Sequence, residues 1–262
     1  MSTPGSAAGS GTADGPAAAP AVRSRPVAFV TGASGGLGRA TVALLRARGI
    51  AVFATDLALA AIPCGEPGFV AASLDVTDEA AIGASVAQAL AEFGRIDHVI
   101  HLAGRAGHGP IDAVSRADWN AVLDVNLTSA FMLAKATHAA LAQSRGTLTL
   151  VSSTNGLNGG SALSGPAYAV AKAGLINLTR YLAKEWAKEG VRVNCLAPGP
   201  IDTPMVTGRF TPEVLAALKA SVPLNAIGRP EHVAHAIGYL VSPDAAFVTG
   251  TVMNLSGGLV LD

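Results

Sequence analysis

The sequence predicts an α/β fold, a single-domain, doubly wound parallel β-sheet flanked by helices. From Pro26 onward, short runs of β-branched and other apolar residues alternate with longer helical patterns. This alternation is typical of a parallel sheet with crossover helices. Half of the 262 residues are apolar, which is enough for one large core. Because no repeat and no linker divides residues 26–262, we predict that they form one domain.

Seven strands are predicted, each a short apolar run between turn-forming residues. They cover residues 27–31, 51–55, 69–74, 98–102, 147–152, 191–196 and 251–255. Helices are expected between them, and several helix ends carry a capping residue, a closing glycine or a proline suited to the first turn. These signals are Thr77 or Asp78 before a helix that ends near Gly94, the capping-box pair Ser115 and Asp118, Gly190 after a helix that begins near Tyr168, and Pro212 and Pro230.

The first 25 residues are expected to form a disordered tail. They are mainly Ala, Gly, Pro and Ser, and such a segment cannot bury enough surface to offset the entropy of ordering. A secretory signal peptide is the alternative interpretation, but the basic start and the Leu/Ile/Phe-rich segment of such peptides are both missing.

Composition limits the classes of partner. The formal net charge is zero, so nothing attracts the chain as a whole to nucleic acid or to an anionic membrane. No apolar run is continuous enough to span a bilayer, and Cys64 and Cys195 are too few for a disulfide framework. No metal-binding motif is found. We therefore expect a cytoplasmic protein that acts on a small-molecule substrate.

Residues 31–38, which read TGASGGLG, follow the first strand and open a helix. Glycines let the backbone turn tightly and approach a pyrophosphate, whose charge is held by amide groups and by the positive end of the helix. Asp56 closes the second strand about twenty residues further on, as in a dinucleotide-binding unit. The sequence therefore predicts a Rossmann-type dinucleotide site.

Asp56 favours NAD over NADP. Its carboxylate can accept hydrogen bonds from both hydroxyl groups of an adenosine ribose, and its charge would repel the additional phosphate of NADP. Arg39 is the residue that could reverse this preference, although its place on the helix favours an outward, structural role.

Tyr168 and Lys172 are four residues apart on a predicted helix, so both side chains can point into one site. A tyrosine of ordinary pKa, about 10, is rarely ionised at neutral pH. A cation nearby would lower that pKa and make the phenol a usable general base. The preceding strand ends at Ser152-Ser153, whose hydroxyl groups can hold a substrate oxygen beside the phenol.

Taken together, these motifs resemble the short-chain dehydrogenase/reductase family, especially its NAD-preferring alcohol dehydrogenase and 3-oxoacyl reductase-like members. The resemblance covers essentially all of the chain from Pro26. It rests on the glycine-rich turn and on the following residues in the family's order: Asp75-Val76, Ala103-Gly104, Asn126, Ser153, Tyr168, Lys172 and the run PGPIDT at 198–203.

The resemblance implies a catalytic tetrad. Ser153 would polarise the reacting oxygen, and Tyr168 would exchange its proton. Lys172 would bind the nicotinamide ribose and lower the tyrosine pKa, while Asn126 would anchor a water molecule that relays protons. Ser152 is the alternative to Ser153, but Ser153 stands three residues before Gly156, as is usual in the family.

The resemblance also implies a set of cofactor-binding residues. They are Gly32, Ser34, Gly36, Leu37, Gly38, Asp56, Asp75, Val76, Ala103, Gly104, Tyr168, Lys172, Pro198, Gly199, Ile201 and Thr203. The amide of Ile201 and the hydroxyl of Thr203 would hold the carboxamide of NAD.

The motif after the fourth strand departs from the family pattern. The fourth strand leads into His101-Leu102-Ala103-Gly104, where the family commonly has Asn-Asn-Ala-Gly, so local support of the sheet must be arranged differently. His101 could act as a catalytic base, but a histidine in a strand is more often a hydrogen-bonded core residue.

The expected activity is hydride transfer between NAD(H) and a secondary alcohol or its ketone. A substrate loop is predicted at about 200–223, and the pocket candidates are largely apolar: Ala106, Leu157, Leu163, Met205 and Phe210. A carboxylate or thioester substrate stays open because of three cations or potential cations: Arg105, His108 and Arg209.

Three other functions are alternatives to this activity. A cyclic dihydrodiol dehydrogenase is suggested by the short segment at 57–68, and a 3-oxoacyl-thioester reductase belongs to the same family. A non-catalytic nucleotide-sensing protein would keep the fold without turnover. The resemblance further implies a homo-oligomer, typically a tetramer joined through the helices that hold Asn126 and Lys172 and through the C-terminal segment.

Overall fold

The computed structural model of the chain describes residues 1, 25–59, 66–208 and 210–261. The expected disordered tail therefore lies almost entirely outside the described residues, as do Cys64, Arg209 and much of the short segment at 57–68. The described residues form a seven-stranded, wholly parallel sheet with helices on both faces. The predicted fold class is confirmed.

The strand order is β3-β2-β1-β4-β5-β6-β7. The strands are β1 Val27–Thr31, β2 Ala51–Asp56, β3 Phe69–Ser73, β4 His98–His101, β5 Thr147–Val151, β6 Arg192–Pro198 and β7 Val252–Leu255. All seven predicted strands are present, with ends that differ by at most two residues. The chain reverses its direction of winding between β1 and β4, and ligands of doubly wound sheets bind at the carboxyl ends of the strands beside such a reversal.

The α-helices of the described residues are α1 Gly36–Ala47, α2 Glu79–Phe93, α3 Arg116–Leu123, α4 Ser129–Ser144, α5 Asn155–Asn158, α6 Pro166–Trp186, α7 Pro212–Ser221 and α8 Pro230–Leu240. The start of α2 is capped by the Asp78 carboxylate, which accepts from two amides, and Ser115 caps α3. Thr77 does not cap a helix but donates its hydroxyl to Asp75 at 2.7 Å. Pro212 and Pro230 begin their helices as predicted.

The sheet separates two apolar layers. Val27 and Phe29 of β1 point into the layer that also contains residues of α2, α4 and α6. Ala28 and Val30 of the same strand point into the layer that contains residues of α1 and α8. This alternation follows from the two-residue period of a strand, and it explains why strands covered on both faces are apolar throughout.

A short π-helical turn, Asp124–Thr128, joins α3 to α4. Such turns widen the backbone by one residue and are frequent at functional sites. Within the described residues, no helix is both long enough and apolar enough to cross a bilayer.

Candidate active site

A cleft of about 610 Å³ opens at the carboxyl ends of β1, β2 and β4, at the point where the winding reverses. Eleven of the predicted cofactor-binding residues lie along it. The predicted residues that line the cleft are Gly32, Ser34, Gly36, Leu37, Gly38, Asp56, Asp75, Val76, Ala103, Gly104 and, across the opening, Thr203. The topology thus brings together residues that are up to 171 positions apart in sequence.

The glycine turn is packed too closely for side chains. A Cβ atom on Gly36 would lie 2.7 Å from the methyl carbon of Thr203, and one on Gly38 would lie 2.1 Å from the carbonyl oxygen of Gly32. Gly32 itself has φ +68° and would bring a Cβ within 2.6 Å of the Ala103 amide nitrogen. The turn therefore holds β1, β4 and the segment after β6 at close approach.

Gly32→Ala is expected to destabilise the fold more than Gly49→Ala. Both glycines have positive φ, but a Cβ on Gly49 would meet nothing within 4 Å, so that control carries only the backbone cost of about 1–2 kcal/mol. Gly32→Ala adds a clash with backbone that itself lines the cleft, typically about 1–3 kcal/mol more. Thermal unfolding at equal protein concentration should show a larger midpoint loss for Gly32→Ala, roughly twice that for Gly49→Ala. Equal losses would contradict this explanation of the turn.

Asp56 lies at the end of β2 on the wall of the cleft, and its position is fixed by the glycine turn. The Ser34 amide donates to the Asp56 carboxylate at 2.9 Å, and the Ser34 hydroxyl donates to the Ala58 carbonyl at 2.6 Å. Arg39 is exposed and donates to the Ser34 carbonyl at 2.9 Å. Arg39 also lines the cleft, so the expectation that it points away from the site is only partly met.

The start of α1 is suited to an anion. No side chain caps this helix, and its first turn contains no acidic residue. Amide groups that lack intrahelical partners and the positive end of the helix dipole favour a phosphate there. A close-packed glycine cradle, an uncapped helix start and a carboxylate one strand away together fit a dinucleotide.

Ser152 and Ser153 have different surroundings at the end of β5. The Ser152 hydroxyl is buried and donates to the Lys172 carbonyl at 2.7 Å, which holds α6 against the strand. Ser153 lines a second cavity together with Tyr168, and its hydroxyl is hydrogen-bonded to the phenol. Of the two serines, Ser153 is therefore the one placed to contact a substrate oxygen.

Lys172 lies one helical turn after Tyr168 on α6, as the i, i+4 spacing predicts. Its Nζ donates to the Val151 carbonyl at 2.8 Å and lies 5.4 Å from the centre of the Tyr168 ring. Burial lowers the pKa of Lys172 to about 8. Burial also raises the pKa of Tyr168 above its ordinary value, and the hydrogen bond from Ser153 opposes this only in part. The lowering of the tyrosine pKa expected from the neighbouring lysine is therefore not found, because desolvation raises this pKa.

Asn126 is buried at the centre of the π-helical turn. Its amide Nδ2 donates to the carbonyl groups of Arg105 and Val122, at 2.8 and 2.9 Å. Its Oδ1 has no hydrogen-bond partner among the described residues. A Cβ on Gly104 would lie 2.9 Å from this oxygen and 3.6 Å from the Lys172 Nζ. The backbone at Gly104 therefore passes between Asn126 and Lys172.

His101 is a core residue, as the more common behaviour of strand histidines predicts. Its side chain is 2% exposed. It contacts the Thr31 hydroxyl through Nδ1 at 2.8 Å and the Ser129 hydroxyl through Nε2 at 3.0 Å. Burial lowers the pKa of His101 to about 3. The imidazole lines neither the cleft nor the second cavity.

The second cavity, of about 180 Å³, adjoins the cleft because Met205 borders both. Four of the five predicted pocket residues line it, whereas Leu157 packs against the core instead. The lining residues are Ala106, Ser153, Thr154, Asn155, Ser161, Leu163, Ser164, Tyr168, Gly199, Pro200, Met205, Val206, Phe210, Leu218 and Leu259. None of these described residues carries a charge.

Sequence reasoning missed several of these lining residues. Asn155 follows Ser153 by two positions, which is a signal that could have found it. Leu218 lies on α7 and Leu259 in the C-terminal segment, so their approach to the cavity depends on the tertiary fold.

Three predicted cofactor-binding residues line neither cavity: Lys172, Pro198 and Ile201. Pro198 ends β6, and its carbonyl accepts from the Thr154 amide at 2.9 Å. Ile201 is buried, forms an isolated parallel bridge with Gly228 and lines a separate crevice near His232. Gly199 lines the second cavity rather than the cleft.

Comparisons with known proteins identify the family. A family model described as enoyl-(acyl carrier protein) reductase matches residues 32–260. The cis-4-hydroxycyclohexanecarboxylate dehydrogenase of Sinomonas cyclohexanicum is 39% identical over 241 residues, which cover 88% of this chain and 95% of that relative. The 3-oxoacyl-(acyl-carrier-protein) reductase FabG of Escherichia coli K12 is 35% identical over 249 residues, which cover 90% of this chain and 97% of FabG.

A solved structure is similar over the same extent. The crystal structure of gox2181 superposes with a TM-score of 0.82 at 27% sequence identity, covering 90% of this chain and 95% of that one. Sequence, fold and the order of the site motifs lead to one assignment. The chain belongs to the short-chain dehydrogenase/reductase family and is an oxidoreductase that acts on an alcohol or a ketone.

Proposed function

We propose that this chain transfers hydride between NAD(H) and a neutral secondary alcohol or its ketone, with Tyr168 as general acid and base. One observation carries the proposal. Ser153 and Tyr168 lie on the wall of a cavity without charged lining among the described residues, and that cavity adjoins the cleft that ends at Asp56.

A nicotinamide dinucleotide bound in the cleft supplies or accepts the hydride. The chain's own residues then have separate tasks. The glycine turn and the start of α1 bind the phosphates, and the Asp56 carboxylate accepts hydrogen bonds from the hydroxyl groups of the adenosine ribose. This acceptor favours NAD, because a carboxylate repels the extra phosphate of NADP.

The proton is handled on the other side of the site. The Ser153 hydroxyl donates to the substrate oxygen and holds it beside the phenol. Tyr168 gives its proton to that oxygen during ketone reduction and takes it back during alcohol oxidation. Lys172 stabilises the phenolate that reduction leaves. We further propose that the unpaired Oδ1 of Asn126 holds a water molecule that exchanges this proton with solvent.

Ketone reduction is expected to fall as the pH rises past about 8. Because the pKa of Tyr168 is raised, the phenol keeps its proton at neutral pH and is ready to act as the acid. The Lys172 ammonium, with a pKa of about 8, is lost above that value. The kcat/KM for reduction measured from pH 6 to 10 should be level below pH 7 and then decline by up to about tenfold per pH unit. A rate that climbs steadily to pH 10 would contradict these assignments.

The substrate class follows from the cavity lining. Arg105 and His108 are exposed and border a crevice beside the start of α6. Arg105 also lines the cleft, but neither residue lines the second cavity. Arg209 lies outside the described residues. A neutral substrate is thus favoured, since a carboxylate buried without a cation loses its hydration uncompensated.

A 3-oxoacyl-thioester reductase is the second candidate, favoured by the 35% identity to FabG. A cyclic dihydrodiol dehydrogenase stays a prediction, because most of the segment that suggested it lies outside the described residues. Both alternatives use the same proton chemistry and differ in the substrate that enters the cavity.

The test is absorbance at the NADH band with purified protein, NAD(H) or NADP(H), and three substrate groups: neutral secondary alcohols and ketones, hydroxy acids, and 3-oxoacyl thioesters. NAD-dependent turnover with kcat/KM highest for the neutral group supports the proposal. Higher kcat/KM for thioesters favours the second candidate. Absence of turnover with every group, despite NADH binding, favours the nucleotide-sensing alternative.

We also propose a homotetramer joined through α4 and α6. Large apolar side chains on these helices are exposed in the single chain, namely Phe131, Val170 and Tyr181. Large apolar side chains that are exposed in a single chain are the kind of surface that an interface would cover. A monomer mass from light scattering would remove this proposal. The cytoplasmic location stays a prediction.

A further inference from the structure

A chain of buried hydrogen bonds connects three segments of the cleft through His101. The Ala103 amide donates to the Thr31 hydroxyl oxygen at 3.4 Å, and that hydroxyl contacts the His101 Nδ1 at 2.8 Å. On the other side, the His101 Nε2 contacts the Ser129 hydroxyl at 3.0 Å, and Ser129 donates to the Val125 carbonyl at 2.7 Å. Thr31, His101 and Ser129 are all buried.

The direction of each hydrogen bond follows from the proton inventory. A carbonyl only accepts, so the single proton of the Ser129 hydroxyl is used on Val125. Ser129 must therefore accept from His101, which places a proton on Nε2. A neutral imidazole carries one N–H, so Nδ1 is unprotonated and accepts from Thr31.

A charged imidazole does not fit these partners. Its Nδ1–H would donate to Thr31, which already accepts from the Ala103 amide, and the Thr31 proton would then lack an acceptor among the contacts of the described residues. Burying an uncompensated charge is also costly. The full series thus runs from the Ala103 amide through Thr31, His101 and Ser129 to the Val125 carbonyl, with every donor and acceptor used once.

The ends of this series lie at functional positions. Ala103 and Val125 both line the cleft. Thr31 directly precedes Gly32, and Val125 directly precedes Asn126 in the π-helical turn. Only a side chain with a donor and an acceptor on opposite edges completes the series between these segments.

We propose that His101, as the neutral Nε2–H tautomer, is a positioning residue that fixes the cofactor wall at Ala103 and the π-helical turn at Asn126 relative to each other. It occupies the place where the family commonly has asparagine, and its longer reach extends the support from β1 to the start of α4. The hydrogen bond to Thr31, called the Thr31 arm, and the hydrogen bond to Ser129, called the Ser129 arm, have separate tasks. The Thr31 arm sets the wall that binds the dinucleotide, and the Ser129 arm sets the turn that carries Asn126.

The tautomer is tested directly by nitrogen-15 NMR of protein labelled in its six histidines. The His101 signals are those missing from the spectrum of His101→Gln. We expect the pattern of a neutral imidazole protonated on Nε2, unchanged between pH 5.5 and 8.5. A proton on Nδ1, or titration of this residue within that range, would overturn the proposal whether or not the proposed function is correct.

The positioning role is tested with variants that keep one arm each. His101→Asn keeps an acceptor near the place of Nδ1, His101→Gln keeps a donor near the place of Nε2, and His101→Leu keeps neither. We expect His101→Asn to lower kcat about tenfold with the dissociation constant of NADH within twofold, and His101→Gln to raise that dissociation constant about tenfold with a smaller loss of kcat. His101→Leu should show both effects. These factors correspond to the net loss of one buried hydrogen bond.

Thr31→Val and Ser129→Ala remove one arm each without altering His101, so the test does not depend on His101→Leu folding. Thr31→Val should reproduce the effects of His101→Gln, and Ser129→Ala should reproduce those of His101→Asn. A merely structural role would lower the unfolding temperature of all variants while leaving both kcat and NADH binding near the parent values, and that result would overturn the proposal. The kcat readout rests on the proposed function, whereas NADH binding and the tautomer do not.

Discussion

Tyr168→Phe is expected to lower kcat for both ketone reduction and alcohol oxidation by about 10³-fold, because positioned acid–base catalysis contributes about 10²–10⁴-fold. The substitution removes one oxygen from a partly buried ring and leaves the ring's packing in place. Lys172 keeps its hydrogen bond to the Val151 carbonyl, so NADH binding should stay within about twofold of the parent. Stopped-flow or steady-state absorbance gives kcat, and fluorescence titration gives the dissociation constant of NADH.

A matched control is available on the same helix. Tyr181 is 63% exposed, lies in α6 and lines neither cavity. Tyr181→Phe should leave kcat and NADH binding unchanged. If the parent and Tyr168→Phe instead oxidised NADH at the same slow rate, the proposed acid–base role would be wrong and the nucleotide-sensing alternative would gain support.

The role of Tyr168 could be predicted because short-range sequence patterns determine where its side chain points. The strand–glycine turn–helix unit and the i, i+4 pair at Tyr168 and Lys172 are short-range features, and the periods of strands and helices fix where their side chains point. The sheet then needs only the strand order to bring these features together. For that reason the cleft, the pair on α6 and the choice of a Rossmann-type sheet could be predicted before any coordinates were known.

Other features depend on contacts between distant segments. The environment of His101 requires β1, β4 and the start of α4 in one place, and nothing in the local sequence indicates both partners. The raised pKa of Tyr168 was also not predictable from spacing. A neighbouring cation and desolvation act in opposite directions on that pKa, and only the burial of the phenol shows which is larger.

The position of the Arg39 guanidinium at the cleft could likewise not be predicted from the local sequence. Its place on α1 predicted an outward side chain, and the residue is indeed exposed. The long side chain nevertheless folds back to the Ser34 carbonyl and reaches the rim of the cleft near Asp56. Helical spacing fixes the direction of a Cβ atom but not the position of a guanidinium several bonds beyond it.

Asp56→Asn is therefore expected to change the cofactor preference sharply. In the parent, kcat/KM with NAD should exceed that with NADP by at least about 100-fold, because juxtaposed like charges cost several kcal/mol. The amide keeps an oxygen that can accept from the Ser34 amide, so the turn is preserved while the repulsion is removed. We expect the ratio to approach about one, mainly through a gain with NADP.

The size of this change in cofactor preference is expected to depend on Arg39. Once the carboxylate is neutralised, the guanidinium at the rim of the cleft is free to attract the additional phosphate, as arginine does in bidentate phosphate recognition. Adding Arg39→Ala to Asp56→Asn should remove most of the gain with NADP while changing the NAD efficiency little. Asp244→Asn, an exposed aspartate remote from the cleft, is the charge-matched control and should leave the ratio unchanged. A parent that already prefers NADP would show that Arg39 outweighs Asp56 in the native protein, since these two side chains carry opposite charges at the same rim.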